Sequence, residues 1–211
     1  MFTGIIKEVG EITNIEATEN LSTFTVKCQE ILENKKIGDS IAVNGACVTV
    51  TKLAENSFKF DAIKETLDKT NLSSFKIGSK VNLEPALTLN QGLDGHLVQG
   101  HVDTMGEIEE ITGAEGKTTI KINYPPIIGK YLAYKGSITI NGVSLTISDL
   151  QAETFSVELI PHTLEKTNLG ELKQTDKVNL EIDLIARYLE KLLNNKDKQI
   201  TYDFLKDRGF L

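Results

Sequence analysis

Three histidines and two cysteines are scattered among 211 residues, and two of the histidines stand five apart in Gly95-His96-Leu-Val-Gln-Gly100-His101. A neutral imidazole is the usual proton shuttle near pH 7, which makes His101 a candidate general acid–base. The plainer alternative is a hydrogen-bonded surface histidine. His96 reads either as a brace for the Gly95–Gly100 loop or as a second catalytic group. Cys47 lies in Asn44-Gly-Ala-Cys-Val-Thr-Val50, and on its own it reads as a small buried hydrophobe. Thr49 follows two residues later, on the same face of a strand. Ser144 and Thr146 repeat that spacing in Asn141-Gly-Val-Ser-Leu-Thr-Ile147. Such hydroxyls can both donate and accept. Cys28, in a Val-rich strand without a matching motif, reads as structural. Zinc held by His96, His101 and Cys47 is the metal alternative, but these ligands lack the paired spacing of a zinc site, so no metal is expected. There is no Gly-rich phosphate loop either.

These motifs sit on a duplicated chain. Shifted by 97 positions, Ile41–Val50 falls on Ile138–Ile147, Lys64–Leu72 on Pro161–Leu169, and Val81–Glu84 on Val178–Glu181. Over 44 ungapped positions 19 residues are identical, which shared strand composition alone does not produce. Toward the front, Val9-Gly-Glu-Ile12 matches Met105-Gly-Glu-Ile108 at an offset one shorter. The expected units are one barrel over residues 1–96, a second over 97–182 and a tail over 183–211. The copies differ where chemistry would sit. Cys47 aligns with Ser144, and carrying the longer offset forward sets Gly4 opposite His101.

The elements that must position these residues are strands. Ser22–Cys28, Ser40–Val43, Ala46–Leu53, Ser57–Ile63 and Lys80–Pro85 are short, rich in Val, Ile, Thr and Phe, and bounded by turn signals. Asn44-Gly45 and Asn141-Gly142 predict hairpins, because both residue types tolerate positive φ. Strands whose edges must be hidden favour closure. The predicted fold class is therefore all-β: two tandem six-stranded Greek-key β-barrels related by internal duplication, plus a C-terminal α-helix. Glu65–Leu72 and His162–Leu169 predict short helical turns, and Thr201–Lys206 one more. From Asp183 onward, Ile185, Tyr188, Leu189, Leu192 and Leu193 keep helical spacing. That stripe packs on its own barrels or, as expected here, on other subunits.

Composition narrows the function. Hydrophobic residues make up 40% of the chain, enough for a core. No apolar run approaches the ~18 residues of a membrane span, and the start lacks the basic region of a secretory signal. A net charge of −7 argues against a nucleic-acid partner. Two thiols are too few for a disulfide framework, and reduced thiols fit a cytoplasmic protein.

Met1-Phe-Thr-Gly-Ile5, Asn44–Val50, Lys64-Glu-Thr-Leu67, Gly95–His101, Asn141–Ile147, Asp203-Phe-Leu205 and Gly209-Phe210 together resemble the riboflavin synthase family, α-chain type. The likeness runs the length of the chain. It implies two lumazine-binding barrels, a trimerising C-terminal helix and no cofactor. The reaction it implies is a dismutation. One 6,7-dimethyl-8-ribityllumazine gives a four-carbon unit to another, yielding riboflavin and 5-amino-6-(ribitylamino)uracil. Two substrate molecules per site, a homotrimer and association with lumazine synthase are the partners it suggests. The alternative is a non-catalytic lumazine- or flavin-binding antenna protein on the same scaffold. Such relatives tend to lose the Met1–Gly4 start and the Gly-His…Gly-His segment, both kept here.

The resemblance also assigns roles. It places Phe2 at the active site, against the alternative of a staple onto the first barrel. It makes His101 a proton-transfer group, and Cys47 a thiol that helps activate the acceptor lumazine or position a nucleophile at its C7. Ser144 and Thr146 look like a proton-handling pair in the second barrel. Asp183 is a helix cap or a carboxylate at the site. Backbone edges are expected to read the alternating N–H and C=O groups of the pyrimidine. Those edges are Gly4, Ile5 and Ile6; Cys47, Val48 and Thr49; Asp61, Ala62, Ile63, Lys64, Glu65 and Thr66; and Gly100, His101 and Val102. In the second barrel they are Ser144, Leu145 and Thr146, with Glu158, Leu159, Ile160, Pro161, His162 and Thr163. Asp61, Glu65 and Thr66 are expected to meet the ribityl hydroxyls, and Lys135 to touch ligand. His162 stands where Glu is common in the family, which bears on ribityl contact in the second barrel.

Overall fold

The computed structural model describes residues 1–114 and 116–194, together with Lys206 and Arg208. Apart from Lys206, the turn expected over 201–206 and the motifs at 203–205 and 209–210 lie outside the described residues. In the first unit, β1 (Glu8–Ala17), β2 (Leu21–Lys27), β3 (Ser40–Val43), β4 (Ala46–Ala54), β5 (Ser57–Ile63) and β6 (Lys80–Pro85) form a closed barrel in the order β1-β2-β5-β4-β3-β6. The second unit repeats it with β7 (Thr104–Ala114), β8 (Lys117–Asn123), β9 (Ser137–Ile140), β10 (Val143–Leu150), β11 (Thr154–Leu159) and β12 (Lys177–Ile182). The step from β2 to β5, with β6 returning between β3 and β1, is the Greek-key connection. Short helices α1 (Lys64–Lys69) and α2 (Pro161–Lys166) precede the closing strands, and α3 (Leu184–Asn194) follows β12.

Closure needs curvature, and both barrels obtain it in the same places. The pairing register shifts between Ile12 and Asn14 and between Val50 and Lys52. It shifts again between Ile108 and Glu110 and between Ile147 and Asp149. Bulges of this kind bend the strand and increase its twist. The first core is aromatic: Phe24 stacks on Phe60 with centroids 5.1 Å apart, and Phe58 sits beside them. The second is built mainly of Ile and Val around Phe155 and Tyr124. Cys28 is buried in the first core, where desolvation pushes its thiol up to about 12.

The barrels meet across a pseudo-two-fold joint of six buried asparagines. Asn44 and Asn141 adopt φ of 45° and 47°, as the hairpin signal predicted. Their side chains do a second job. Asn44 Oδ1 accepts from Asn82 N–H at 2.8 Å and from the Asn168 amide at 3.0 Å; Asn141 Oδ1 accepts from Asn179 N–H at 2.9 Å and from the Asn71 amide at 3.1 Å. Asn71 N–H donates to Asn179 Oδ1 and Asn168 N–H to Asn82 Oδ1, both at 2.7 Å. Gly45 and Gly142 abut on this axis, and a Cβ on Gly45 would stand 2.8 Å from the Gly142 nitrogen.

Ahead of each barrel's first strand, a strap crosses to the other barrel. Ser144 N–H on β10 donates to Gly4 C=O at 2.8 Å, and Cys47 N–H on β4 donates to Gly100 C=O at 2.8 Å. Ile6 packs on the second core and Val102 on the first. The straps are joined where Phe2 and Val98 exchange backbone hydrogen bonds of 2.7 and 3.1 Å. These bonds correct the expected alignment. Gly4 corresponds to Gly100, not to His101, and the residue opposite His101 is Ile5. The reason is steric. Both glycines have left-handed φ, +77° and +80°, and a Cβ on either would come within 2.6 Å of the Ser144 or Cys47 Cβ. The extra residue of the second unit thus enters after Ile108, and the longer offset does not extend to the front.

Candidate active site

On the first barrel, Cys47 and His101 are exposed and line one cavity of about 180 Å³ with Glu65, Thr66, Gly100 and Val102. Cys47 points outward because β4 alternates strictly here: Ala46, Val48 and Val50 are buried, while Cys47 and Thr49 are not. The reading of Cys47 as a small buried hydrophobe therefore does not hold. Val48 can offer a substrate only its backbone. Glu65 is paired with Lys69 at 2.7 Å. Asp61 accepts from Thr23 Oγ1 at 2.6 Å and does not line this cavity, nor do Ala62, Ile63 and Lys64.

On the second barrel, Ser144 Oγ and His96 Nδ1 lie 2.7 Å apart. His96 is held by its own N–H, which donates to Thr3 C=O at 3.1 Å, and by Gly95, where a Cβ would come within 2.1 Å of that same oxygen. The ring is 9% exposed, and Nε2 has no hydrogen-bond partner among the described residues. Burial lowers its pKa, and the Asp183 charge opposes that shift, so the imidazole is held neutral. A neutral imidazole next to a hydroxyl can move a proton in either direction. Asp183 caps a helix and also acts on His96. Its Oδ1 accepts from Ile185 N–H at 2.9 Å, capping α3, while its charge reaches His96. Thr146 is exposed on β10, two residues beyond Ser144, and Leu145 packs partly on the second core.

Other expected residues are placed less centrally. Phe2 is 0% exposed, packs with Ala42 and Val98, and lies under Gly100. The ring supports the strap that carries Gly100. Glu158 pairs with Lys117 at 2.6 Å, and Lys135 lies over the Tyr134 ring. Pro161, His162 and Ile160 are exposed where α2 begins, while Leu159 is buried.

Sequence reasoning weighed His101 above His96 and missed two glutamates altogether. Glu84 accepts from Thr3 N–H at 2.7 Å, Thr3 Oγ1 at 2.8 Å and Gly4 N–H at 3.0 Å. Its counterpart Glu181 accepts from Gln99 N–H at 2.7 Å and Gly100 N–H at 3.0 Å. Each buried carboxylate pins its own unit's strap. Their identity at the 97-residue offset was the one available signal. Among the described residues, no three His, Cys, Asp or Glu side chains are grouped to hold a metal ion.

The lumazine-binding domain family matches the chain twice, over residues 3–86 and 99–183. Riboflavin synthase from Actinobacillus pleuropneumoniae is 44% identical over the full length of both chains, and that from Bacillus subtilis (strain 168) 43% over the full length of both. Among solved structures, LumP complexed with 6,7-dimethyl-8-(1'-D-ribityl) lumazine is similar at a TM-score of 0.79 and 25% identity, covering 86% of this chain and 99% of that one. LumP complexed with riboflavin gives 0.81 and 26% over the same shares. With two matched domains and full-length relatives of one kind, this chain belongs to the riboflavin synthase family.

Proposed function

We infer that the protein is a riboflavin synthase, a transferase that converts two molecules of 6,7-dimethyl-8-ribityllumazine into riboflavin and 5-amino-6-(ribitylamino)uracil. The observation that carries this reading is unequal chemistry at equivalent strands of the two barrels: Cys47 of β4 lines a cavity with His101, whereas Ser144 of β10 lies 2.7 Å from the buried His96. Two copies of one substrate must meet, and holding two reactants in attack geometry can lower a barrier by ~7–11 kcal/mol. The C7 methyl of a lumazine is conjugated with the ring, so its proton is acidic. His96 and Ser144 are fitted to take or return that proton, with Thr146 beside them, and Cys47 and His101 to activate the partner's C7. Strand and strap backbones at residues 4–6, 47–49 and 100–102 supply the N–H and C=O groups that read the pyrimidine. Glu65 and Thr66 are placed for ribityl hydroxyls. Reaction between two conjugated rings requires neither metal nor cofactor.

α3 leaves Ile185, Tyr188, Leu189, Leu192 and Leu193 between 53% and 73% exposed. A homotrimer that packs these helices together covers that stripe. It also brings the first barrel of one subunit against the second barrel of its neighbour, where the two substrates meet. The trimer works in the cytoplasm, with lumazine synthase as an associating partner. The test is direct. Incubated with the lumazine after treatment with a chelator, the protein forms one riboflavin for every two lumazines consumed. A carrier protein would bind the lumazine without consuming it, and that result would reject the reading.

A further inference from the structure

We propose that Glu181 is a positioning residue for the first-barrel pocket: its carboxylate clamps the Gln99–His101 strap so that His101 is held beside Cys47. The proposal rests on the reaction assigned above. Glu181 belongs to the second barrel and is buried on β12, yet what it holds lies over the first. Its two oxygens take the Gln99 and Gly100 amides, and the His101 amide adds to the same field. The Gly100 carbonyl is engaged on the other side by Cys47 N–H. The strap is thus gripped between a carboxylate and β4, immediately before His101.

After His101 the strap is tied by Asp103, whose N–H donates to Leu180 C=O at 2.9 Å, and by Val102 on the first core; before it, Glu181 is the side chain that takes the Gln99 and Gly100 amides. Residues 99–103 belong to no strand or helix. Gly100, at a φ of +80°, is the residue type with the most conformational freedom to lose. The direction of His101 therefore depends on the anchors on either side of it, of which Glu181 is the one immediately before. The twin site shows what is special about this one. Glu84 receives a third bond from the Thr3 hydroxyl, whereas Gln99 stands in the corresponding place and gives Glu181 only its backbone amide.

The charged surroundings of Glu181 are unequal. Asp103 on its own strap acts on it directly; Arg187 on α3 is turned to Asp103 at 2.5 Å; and Asp183 follows two residues later on the chain. β9 contributes Thr139, whose hydroxyl donates to the Glu181 carbonyl at 3.0 Å. The His101 imidazole is the remaining titratable group on the strap. Burial, with the Asp103 charge, outweighs the backbone amides and pushes the Glu181 carboxyl up to about 7. Protonation removes the negative charge and one acceptor, so the clamp loosens as pH falls through that value.

The test compares wild type, Glu181→Gln and Glu84→Gln as full chains turning over the lumazine. Glu181→Gln is expected to keep the wild-type circular dichroism and a KM within about twofold, while kcat at pH 8 falls about ten- to a hundredfold, the scale of a misplaced catalytic group. Wild-type kcat rises through pH 7; the Glu181→Gln profile loses that rise and the Glu84→Gln profile keeps it. A rise that persists in Glu181→Gln belongs to another group, His101 included, and overturns the proposal. A second measurement needs neither a variant nor turnover: the Gln99 and Gly100 amide resonances of wild type should titrate together near pH 7. Amides unmoved between pH 6 and 8 overturn the clamp even if the protein makes riboflavin. Amides that titrate in a protein making none leave the clamp standing and reject the assigned reaction.

Discussion

Ser144 and His96 act as one unit in this account, and unit behaviour has a kinetic signature. Removing either by Ser144→Ala or His96→Ala should lower kcat by about 10²-fold, the lower end for general acid–base groups. The double variant should be little worse than either single one, because members of a unit are not additive. Independent, multiplying losses would show that the 2.7 Å contact is incidental. Gly100 makes a steric prediction. Gly100→Ala puts a Cβ 2.6 Å from the Cys47 Cβ and 2.8 Å from the Phe2 ring, at a φ that L side chains avoid. It should cost about 1–3 kcal/mol in urea unfolding and abolish lumazine binding at the first barrel. Glu181 makes a third, in stability against pH. Its folded pKa, about 7, lies above the ordinary carboxylate value of 4.5, so its contribution is fully present below about 4.5 and is lost as pH rises through about 7. The ceiling on that loss is about 3 kcal/mol. Melts between pH 4.5 and 8 should therefore fall more steeply for wild type than for Glu181→Gln, and equal slopes would contradict the raised value.

At the level of elements, the straps and the asparagine joint do the positioning, and neither could be read locally. Strands β3, β5 and β6 coincide with the segments read from the sequence, because period-two burial and turn residues are written within a few positions. Asn44-Gly45 declared its hairpin for the same reason. The second use of Asn44, binding Asn82 and Asn168, depends on residues 38 and 124 positions away and leaves no local pattern. The hint was indirect: Asn44, Asn71 and Asn82 are all identical to their counterparts Asn141, Asn168 and Asn179. The strap exchange was hidden as well, since Gly4 pairs with Ser144 and no periodicity spans such a distance. His96 was ranked below His101 because spacing does not report burial. The joint carries its own prediction. Asn82→Ala leaves the Asn168 N–H buried without its acceptor, and Asn179→Ala does the same to Asn71. Each should cost about 1–3 kcal/mol, and by the pseudo-symmetry the two costs should match. A large inequality in denaturant unfolding would mean that the joint is not shared evenly.

The molecule as a whole is a device for bringing like to unlike. Duplication provides two frames of one shape. Divergence at Cys47 and Ser144, and at Ile5 and His101, makes the frames chemically different, and the proposed reaction uses that difference to deprotonate one heterocycle while the other is attacked. The proposed trimer gives α3 the task of bringing frames from separate chains together. Leu189→Glu places a charge in the exposed stripe without touching either core, so it should leave thermal unfolding of the barrels near wild type. The same change should dissociate the assembly in sedimentation and remove most turnover. Full activity in a dissociated variant would place the whole reaction within one chain. The most direct measurement of the central idea is stoichiometry: calorimetric titration with a non-reactive lumazine analogue. Two molecules bound per chain, one weakened by Cys47→Ala and the other by Ser144→Ala, is the result the account predicts. One molecule per chain, displaced equally by both changes, would contradict it.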